Sequence, residues 1–551
     1  MFSALESLGV THVFGMPGSQ IVPLFEALRR SRLTTVVPTH ELAASFMAGA
    51  FYRVSGRPAV LITIPGPGFT YALTGLAEAR LDSAALIHLV PAVTEGPEAR
   101  FALQAIPQTG LAANLAKAVM RVDRVSDLAA VLGRAHAVAT AGEPGPVVVQ
   151  LGETFAGGRM PNSPTEEHAG TNRWEKGDLP MARIKAARRP VIFAGQGCLS
   201  VASALRDLAE RLGAPVLTTA SARGLVPEDH PLAMAFDPLR DTARETNELL
   251  RSADLVLVLG ARLGHNGTAG HAITFNPERT IHVDADPSVL GRVCPINACA
   301  CMPVEVFLSG LAERSLQKSE WTEAEVAAAK LGISLPVAGA AEPLIVGMPP
   351  ARFFASLRGA LPRDCVLVTD TGLHQVLARR YMPVLEPGGL LIPSDFQSMG
   401  FGLPAAIAAK LAAPQRPVVA LIGDGGMGMS GMELATAARL GIPLPVLVFD
   451  DGQLNQIRLH QQSEFGRAFG VDLPRLDFEA LAGATGARFA DAGSDLPSAL
   501  AAALSADGPT LLQVPVHDSL GIRRVRAVGR TKALVRRSLG DRLIARLRGR
   551  S

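Results

Sequence analysis

Short runs of apolar, largely β-branched residues recur along the chain, separated by Ala/Leu-rich stretches. The runs at 34–38, 59–64, 146–151, 190–194, 255–259, 280–283, 366–369, 418–422, 445–449 and 510–514 predict strands, and windows such as 42–54 and 405–411 predict helices. Runs that are apolar throughout, rather than alternating, are strands covered on both faces. Separated by helices, they form parallel sheets. Two polar, Gly/Pro-rich passages, 153–179 and 331–350, interrupt the pattern and read as linkers. They divide the chain into units 1–158, 180–330 and 345–525, followed by a tail at 526–551. The expected fold is α/β, with three doubly wound parallel-sheet domains. Segments 43–68 and 403–426 echo each other: a small-residue helix, a basic turn with Pro, an apolar strand and a glycine-rich turn. Two generic βαβ units would give this, and so would one architecture shared by the outer domains.

Composition adds limits. With 48% hydrophobic and 19% charged residues over 551 positions, the chain can bury large cores. Lys and Arg (53) nearly balance Asp and Glu (50), so charge does not point to a nucleic-acid partner. The basic excess sits at 523–550, where ten Arg and Lys532 face the single acid Asp541. That stretch suits a solvated helix or a contact for an anion such as an acyl carrier. Five cysteines (198, 294, 299, 301, 365) are odd in number and sparse, which argues against a disulfide framework, and they read as small buried residues. The N-terminus has no secretory pattern and no apolar run approaches the roughly 20 residues of a membrane span, so a cytoplasmic chain is expected.

The strongest chemical signal is a pair of acids at strand ends. The run 418–422 leads into Gly423-Asp424-Gly425-Gly426, and the run 445–449 leads into Asp450-Asp451-Gly452. The separation, 451 − 424 = 27 residues, is one right-handed strand–helix–strand crossover, which puts both carboxylates at the carboxyl edge of neighbouring parallel strands. Hard oxygen ligands there suit Mg²⁺, which takes one or two carboxylates completed by phosphate oxygens. Gly425 and Gly426 leave backbone N–H groups free to approach an anion at a helix start. No GxGxxG opens a helix after the first strand and no Walker motif is present, which disfavours a nicotinamide enzyme.

These residues resemble the thiamine-diphosphate motif of acetolactate-synthase-like enzymes, which usually ends in Asn-Asn. The resemblance extends to Val13-Phe14-Gly15-Met16-Pro17-Gly18-Ser19, His40-Glu41-Leu42-Ala43-Ala44, Gly66-Pro67-Gly68, Gly260-Ala261-Arg262 and Met399-Gly400-Phe401-Gly402-Leu403-Pro404. It spans essentially the whole chain, with a shortened first helix. It implies a pyrimidine-binding, a middle and a diphosphate-binding domain, and a homodimer or homotetramer whose sites form between subunits. Glu41 would be the acid that hydrogen-bonds the cofactor's N1′. Gly66, Gly68, Gly372, His374, Ser398, Met399, Asp424, Gly425, Gly426 and Asp451 would line the cofactor, with Met399 propping it into a bent shape. Asp424, Asp451 and the Gln453 carbonyl would hold Mg²⁺. FAD in the middle domain is left open by the resemblance.

Several departures bear on the substrate. Leu373 replaces the usual Gln beside His374, Tyr71 replaces an Asn, and Asp451 stands where many relatives carry Asn. Leu263-Gly264-His265-Asn266 replaces a Phe-Asp-Asp-Arg stretch, so Asn266 cannot supply the charge that grips a second keto-acid carboxylate. Ser19, His40, Gln104, Gln456 and His460 are candidate substrate contacts. The expected activity is cleavage or decarboxylation of a small 2-oxo acid with transfer of the acyl-anion equivalent to an acceptor. The alternatives are a non-ligating decarboxylase of the benzoylformate type, an acyl-CoA lyase or decarboxylase, and a catalytically silent homologue. Neither a nucleic acid nor a membrane is an expected partner.

Overall fold

The computed structural model describes residues 1–93, 103–152, 181–336, 342–493, 495–519 and 522. The first predicted linker and the basic tail lie outside them. Among the described residues there are three sheets. In the first, the order is Thr34–Val36, His12–Gly15, Ala59–Ile62, Leu86–Pro91, Pro146–Leu151 and Ala118–Val122, all parallel. In the third, the parallel strands run Leu390–Leu391, Val366–Thr369, Val418–Gly423, Leu444–Asp450 and Pro509–His517, with Arg488–Asp491 also on Pro509–His517. The short strand Leu344–Ile345 joins that edge antiparallel. Numbered along the chain, the parallel strands of both outer sheets take the order 2-1-3-4-6, with the fifth beside the sixth. The internal echo is therefore one architecture used twice.

The middle sheet differs. Its strands, Pro190–Ala194, Val216–Thr218, Ala233–Met234, Leu255–Leu259, Thr280–Asp284 and Ala298–Cys301, take the order 3-2-1-4-5-6. The expectation that all five cysteines are buried fails here. Cys198 and Cys365 are buried, but Cys299 is exposed and Cys294 and Cys301 are half-buried. Cys299 and Cys301 sit on the edge strand, which has a neighbour on one side only. The second predicted linker also begins too early, because residues as far as Ser334 belong to the helix Glu323–Ser334.

The outer domains share one apolar core, in which Phe46, Phe51, Phe401, Ile407 and Ile422 are all buried. Helix Glu41–Ser55 starts at His40, whose Nδ1 accepts the Leu42 N–H at 3.1 Å, and it stops at the left-handed Gly56. Its small residues allow close neighbours: a Cβ at Gly75 of helix Pro67–Leu81 would collide with Ser45 Oγ. Helix Gly402–Ala412 packs against the same helix, with the Phe46 and Phe401 rings edge to face at 5.5 Å.

Polar seams complete the assembly. The loop leading to Met399 is tied to the first domain: Arg53 donates to the Ile392 carbonyl at 2.7 Å and pairs with Asp82. Asp82 accepts from Ser394, and Glu78 Oε2 accepts the Ser398 N–H at 3.0 Å. Burial, with the Asp82 charge beside it, pushes Glu78 up to about 7. Between the middle and third domains, Arg223 is fully buried. Its Nε donates to Glu228 at 2.6 Å, and its other nitrogens donate to the carbonyls of Arg379 and Met382 at 2.8 and 2.7 Å. Arg379, on helix Leu373–Tyr381, donates to both oxygens of Asp237 at 3.0 and 3.1 Å. Burial raises Asp237, but the Arg379 and Arg223 guanidiniums outweigh it and hold the carboxyl below its usual range.

Removing one partner of this seam strands the others in a dry interior. Asp237→Ala should cost about 3–5 kcal/mol, read as a lower urea midpoint, and an unchanged midpoint would show that the arginines find other partners. Glu78 gives a pH test. Its folded pKa lies above the ordinary 4.5, so the stability it contributes is complete below that pH and is lost as pH rises through about 7. Glu78→Gln has no such loss. In cofactor-free protein its melting temperature should therefore gain on wild type steadily from pH 4.5 to 7, and a pH-independent difference would refute the assignment.

Candidate active site

At the carboxyl edge of the third sheet, Gly423 is extended (φ −80°, ψ 158°) and Asp424 opens the helix Asp424–Ser430. The glycine-rich segment is thus a helical first turn, and Glu433, Leu434 and Ala437 belong to a second helix, Glu433–Arg439. Strand register sets Gly423 opposite Phe449, so Asp424 and Asp451 leave neighbouring strands at one edge, close enough for the Asp424 charge to act on Asp451. Asp424 accepts the N–H groups of Gly425 at 2.8 Å and Gly452 at 2.5 Å. Asp451 accepts from the Gln453 N–H at 3.1 Å and from Asn455 Nδ2 at 2.5 Å. Burial and the Asp424 charge push Asp451 up to about 7, and burial raises Asp424 as well. Two carboxylates that burial and proximity penalise in their charged forms are a ready site for a divalent cation. The Gln453 side chain turns away to Asp472 at 2.6 Å.

The surroundings are shaped for a close anionic guest. A Cβ at Gly425 would sit 3.3 Å from Met399 Cε, so the half-buried Met399 presses on the bare glycine, with buried Ser398 just before it. A Cβ at Gly426 would collide with Asp370 Oδ2. Asp370 is fully buried, accepts the N–H groups of Thr371 at 2.7 Å and Gly400 at 2.9 Å, and is pushed by burial up to about 7. His374 packs against Gly372 and Gly423, and burial pushes it down to about 4, so it is neutral. Its Nε2 and the Thr371 Oγ1 are buried without a partner among the described residues. These orphaned atoms, beside the carboxylate pair and glycine N–H groups, fit diphosphate oxygens and a cation. Among the described residues no cluster of three or more His, Cys, Asp or Glu could hold a metal alone, so the pair needs carbonyl and phosphate oxygens to complete its shell.

A second cluster forms in the first domain. Glu41, half-buried, opens its helix, and a Cβ at Gly68 would lie 3.1 Å from Glu41 Oε1. Gly66 is left-handed (φ 64°), a Cβ there would meet Gln104 Cβ at 2.8 Å, and its N–H donates to the buried Gln108 at 3.0 Å. Gln20 donates to Gln104 at 2.5 Å. His40 is exposed, caps the helix and lies tilted against the Tyr71 ring with centroids 4.6 Å apart, and exposed Ser19 opens a short 3₁₀ turn. Among the described residues, no hydrogen bond or ion pair joins Glu41 to the Asp424–Asp451 cluster. Gln456 and His460 are exposed on helix Asn455–Phe465. Asn266 donates to the Ser394 carbonyl at 2.7 Å and Asp395 at 3.3 Å.

Sequence reasoning gave Asp370 no role, although it follows its strand as Asp424 does, and the strand-end rule could have found it. Gln20 and Gln108 carry no local signal at all.

A separate cavity of about 560 Å³ lies where the middle strand order reverses, between Pro190–Ala194 and Leu255–Leu259. Gly195, Gly197 and Gly260 pack tightly in its floor. Three of its four arginines are already committed, Arg262 to Glu143, Arg379 to Asp237 and Arg53 to Asp82, while Arg416 keeps one buried nitrogen without a partner among the described residues. No chemistry is assigned to FAD here.

The chain is similar to known proteins over most of its length. Residues 1–113 match the thiamine pyrophosphate enzyme N-terminal TPP binding domain, 181–311 the central domain and 370–514 the C-terminal TPP binding domain. The chain is 30% identical to the acetolactate synthase isozyme 1 large subunit of Escherichia coli (strain K12), over 93% of this chain and 92% of that one. It is also 30% identical to a probable acetolactate synthase large subunit of Methanocaldococcus jannaschii, over 97% and 94%. No helix among the described residues is long and apolar enough to cross a membrane. The chain belongs to the thiamine pyrophosphate enzyme family and is a thiamine-diphosphate-dependent enzyme of the acetolactate synthase type.

Proposed function

We propose that this enzyme cleaves a small 2-oxo acid and transfers the acyl-anion equivalent to an acceptor, with thiamine diphosphate and Mg²⁺ as cofactors. The observation that carries the reading is the Asp424–Asp451 pair beside the unpartnered His374 Nε2. Asp424, Asp451 and the Gln453 carbonyl hold the cation. His374, Gly372 and the N–H groups of Gly425 and Gly426 would take the diphosphate, and Ser398 and Met399 would line the wall beside the cofactor. Bound there, thiamine diphosphate supplies an electron sink for the pair of electrons left by C–C cleavage. Glu41 holds a proton at the pyrimidine N1′, with Gly66 and Gly68 giving the ring room to approach. Ser19, His40, Gln104, Gln456 and His460 are the side chains proposed to meet the substrate.

The two clusters belong to one site only when two copies of the chain meet, as a homodimer or within a homotetramer. Large apolar side chains are exposed on both sides: Tyr71 (53%) in the first domain, and Met429 (64%), Met432 (56%) and Phe469 (88%) in the third. Such surface is what a second copy would cover.

Asn266 supports a second reading of the acceptor step. Its amide is committed to Ser394 and Asp395 and carries no charge, so the site favours an acceptor without a carboxylate, or simple protonation to an aldehyde.

Two experiments test this. Incubation with pyruvate, benzoylformate or oxalyl-CoA should give ligation products if transfer dominates and, if it does not, CO₂ with only the protonated product, an aldehyde from the 2-oxo acids and formyl-CoA from oxalyl-CoA; no turnover of any donor counts against both readings. Separately, Glu41→Gln should retain cofactor but lose turnover by orders of magnitude, and Asp424→Ala should lose Mg²⁺-dependent cofactor retention. Refolding the two inactive variants together should restore activity, because one site of each mixed dimer is then wild type. A mixture as inactive as its parents would put both residues of one chain in the same site.

A further inference from the structure

Glu433 is a buried carboxylate with no described part in the acid pair. It opens helix Glu433–Arg439 in the third domain and is 1% exposed. Among the described residues it has no ion pair. Its charge is held by donors alone: Oε1 accepts the Thr39 N–H at 3.0 Å and the Thr39 hydroxyl at 2.5 Å, and Oε2 accepts Thr436 Oγ1 at 2.7 Å. A carboxylate kept dry without a cation is costly unless those donors stay in place, so each bond is a strong geometric restraint.

Two of the three donors come from one residue of the other domain, two positions before Glu41. At its far end the same helix carries Arg439, which donates to the Val37 carbonyl. The segment between strand Thr34–Val36 and helix Glu41–Ser55 is therefore gripped at 37 and at 39 from the third domain, and His40 then closes on Leu42 as the helix cap. Four residues fastened at three points leave the chain little freedom in how it enters the helix, and Glu41 is the first residue of that helix. A side chain there takes its direction from the backbone held on both sides of it.

From this juxtaposition we propose that Glu433 is a positioning residue: it fixes the Thr39–His40 backbone and so aims the Glu41 carboxyl at the cofactor's N1′. The proposal rests on the reading of Glu41 given above. Glu433 touches neither substrate nor cofactor; it acts through Thr39. The run from Asp424 to Arg439 then serves twice, carrying the metal half of one site at its start and bracing the acid of the neighbouring site at its end.

The test uses full-length protein with Glu433→Ala, Glu433→Gln, Thr39→Val and Glu41→Gln. In cofactor-free protein, amide exchange across 37–44, read by mass spectrometry, should quicken in Glu433→Ala. With Mg²⁺ and thiamine diphosphate, the C2 proton exchange rate should fall about tenfold or more while the cofactor Kd by calorimetry moves by less than about threefold. Glu433→Gln keeps an acceptor for Thr39 and should recover most of the rate. Unchanged amide exchange in Glu433→Ala overturns the proposal. So does a Kd that worsens in step with the rate, since that is general damage. If Glu433→Ala does not fold, Thr39→Val must show the same pattern at smaller amplitude. Normal C2 exchange in Glu41→Gln would instead remove Glu41 from the chemistry, while the amide measurement still judges the Glu433–Thr39 grip.

Discussion

Helix Glu41–Ser55 lies against helix Gly402–Ala412 inside one apolar core, with Phe46 edge to face on Phe401, and the chemistry proposed at both ends depends on that contact. One helix begins at Glu41; the other follows directly on Met399 and Gly400. Small side chains let the backbones approach, and apolar burial on both faces makes the pair part of a single core shared by two domains. A larger residue in this seam would move Glu41 and Met399 together. Each proposed half-site is thus positioned by packing some distance away from its functional side chains.

What could be read from the chain follows from this. Strands buried on both faces are continuous apolar runs, so their ends, and the acids at those ends, stand out locally. The spacing of Asp424 and Asp451 reports one crossover because the right-handed connection leaves little choice of length. Contacts between distant parts of the chain leave no such trace. Arg223 gives no hint that it will meet carbonyls at 379 and 382, nor Glu433 that it will meet Thr39. Arginine-rich helices look like solvated faces, yet Arg379 is buried because an acid waits in another domain. The exposure of Cys299 and the helical course of 331–334 were missed for a related reason: small apolar composition does not tell an edge strand from a central one, nor a helix end from a linker.

The aspartates that replace the family's usual Asn-Asn pose an electrostatic question that the fold answers unequally. Asp450 is neutralised from two directions: Arg475 donates to it at 3.0 Å and Gln513 at 2.8 Å. The same Arg475 reaches over Gly452, where a Cβ would lie 2.6 Å from its Cζ, towards the Asp451 carbonyl. The donors to the Asp451 carboxylate among the described residues are neutral, Asn455 and the Gln453 N–H, and the nearby Arg458 charge does not outweigh burial and the Asp424 charge. Of the two added negative charges, one is therefore offset by the protein and one is left facing Asp424, where a divalent cation would be its natural counterpart. The substitution strengthens the case for a cation at the carboxyl edge, and it does so without adding a second unbalanced charge to the turn proposed to hold the metal.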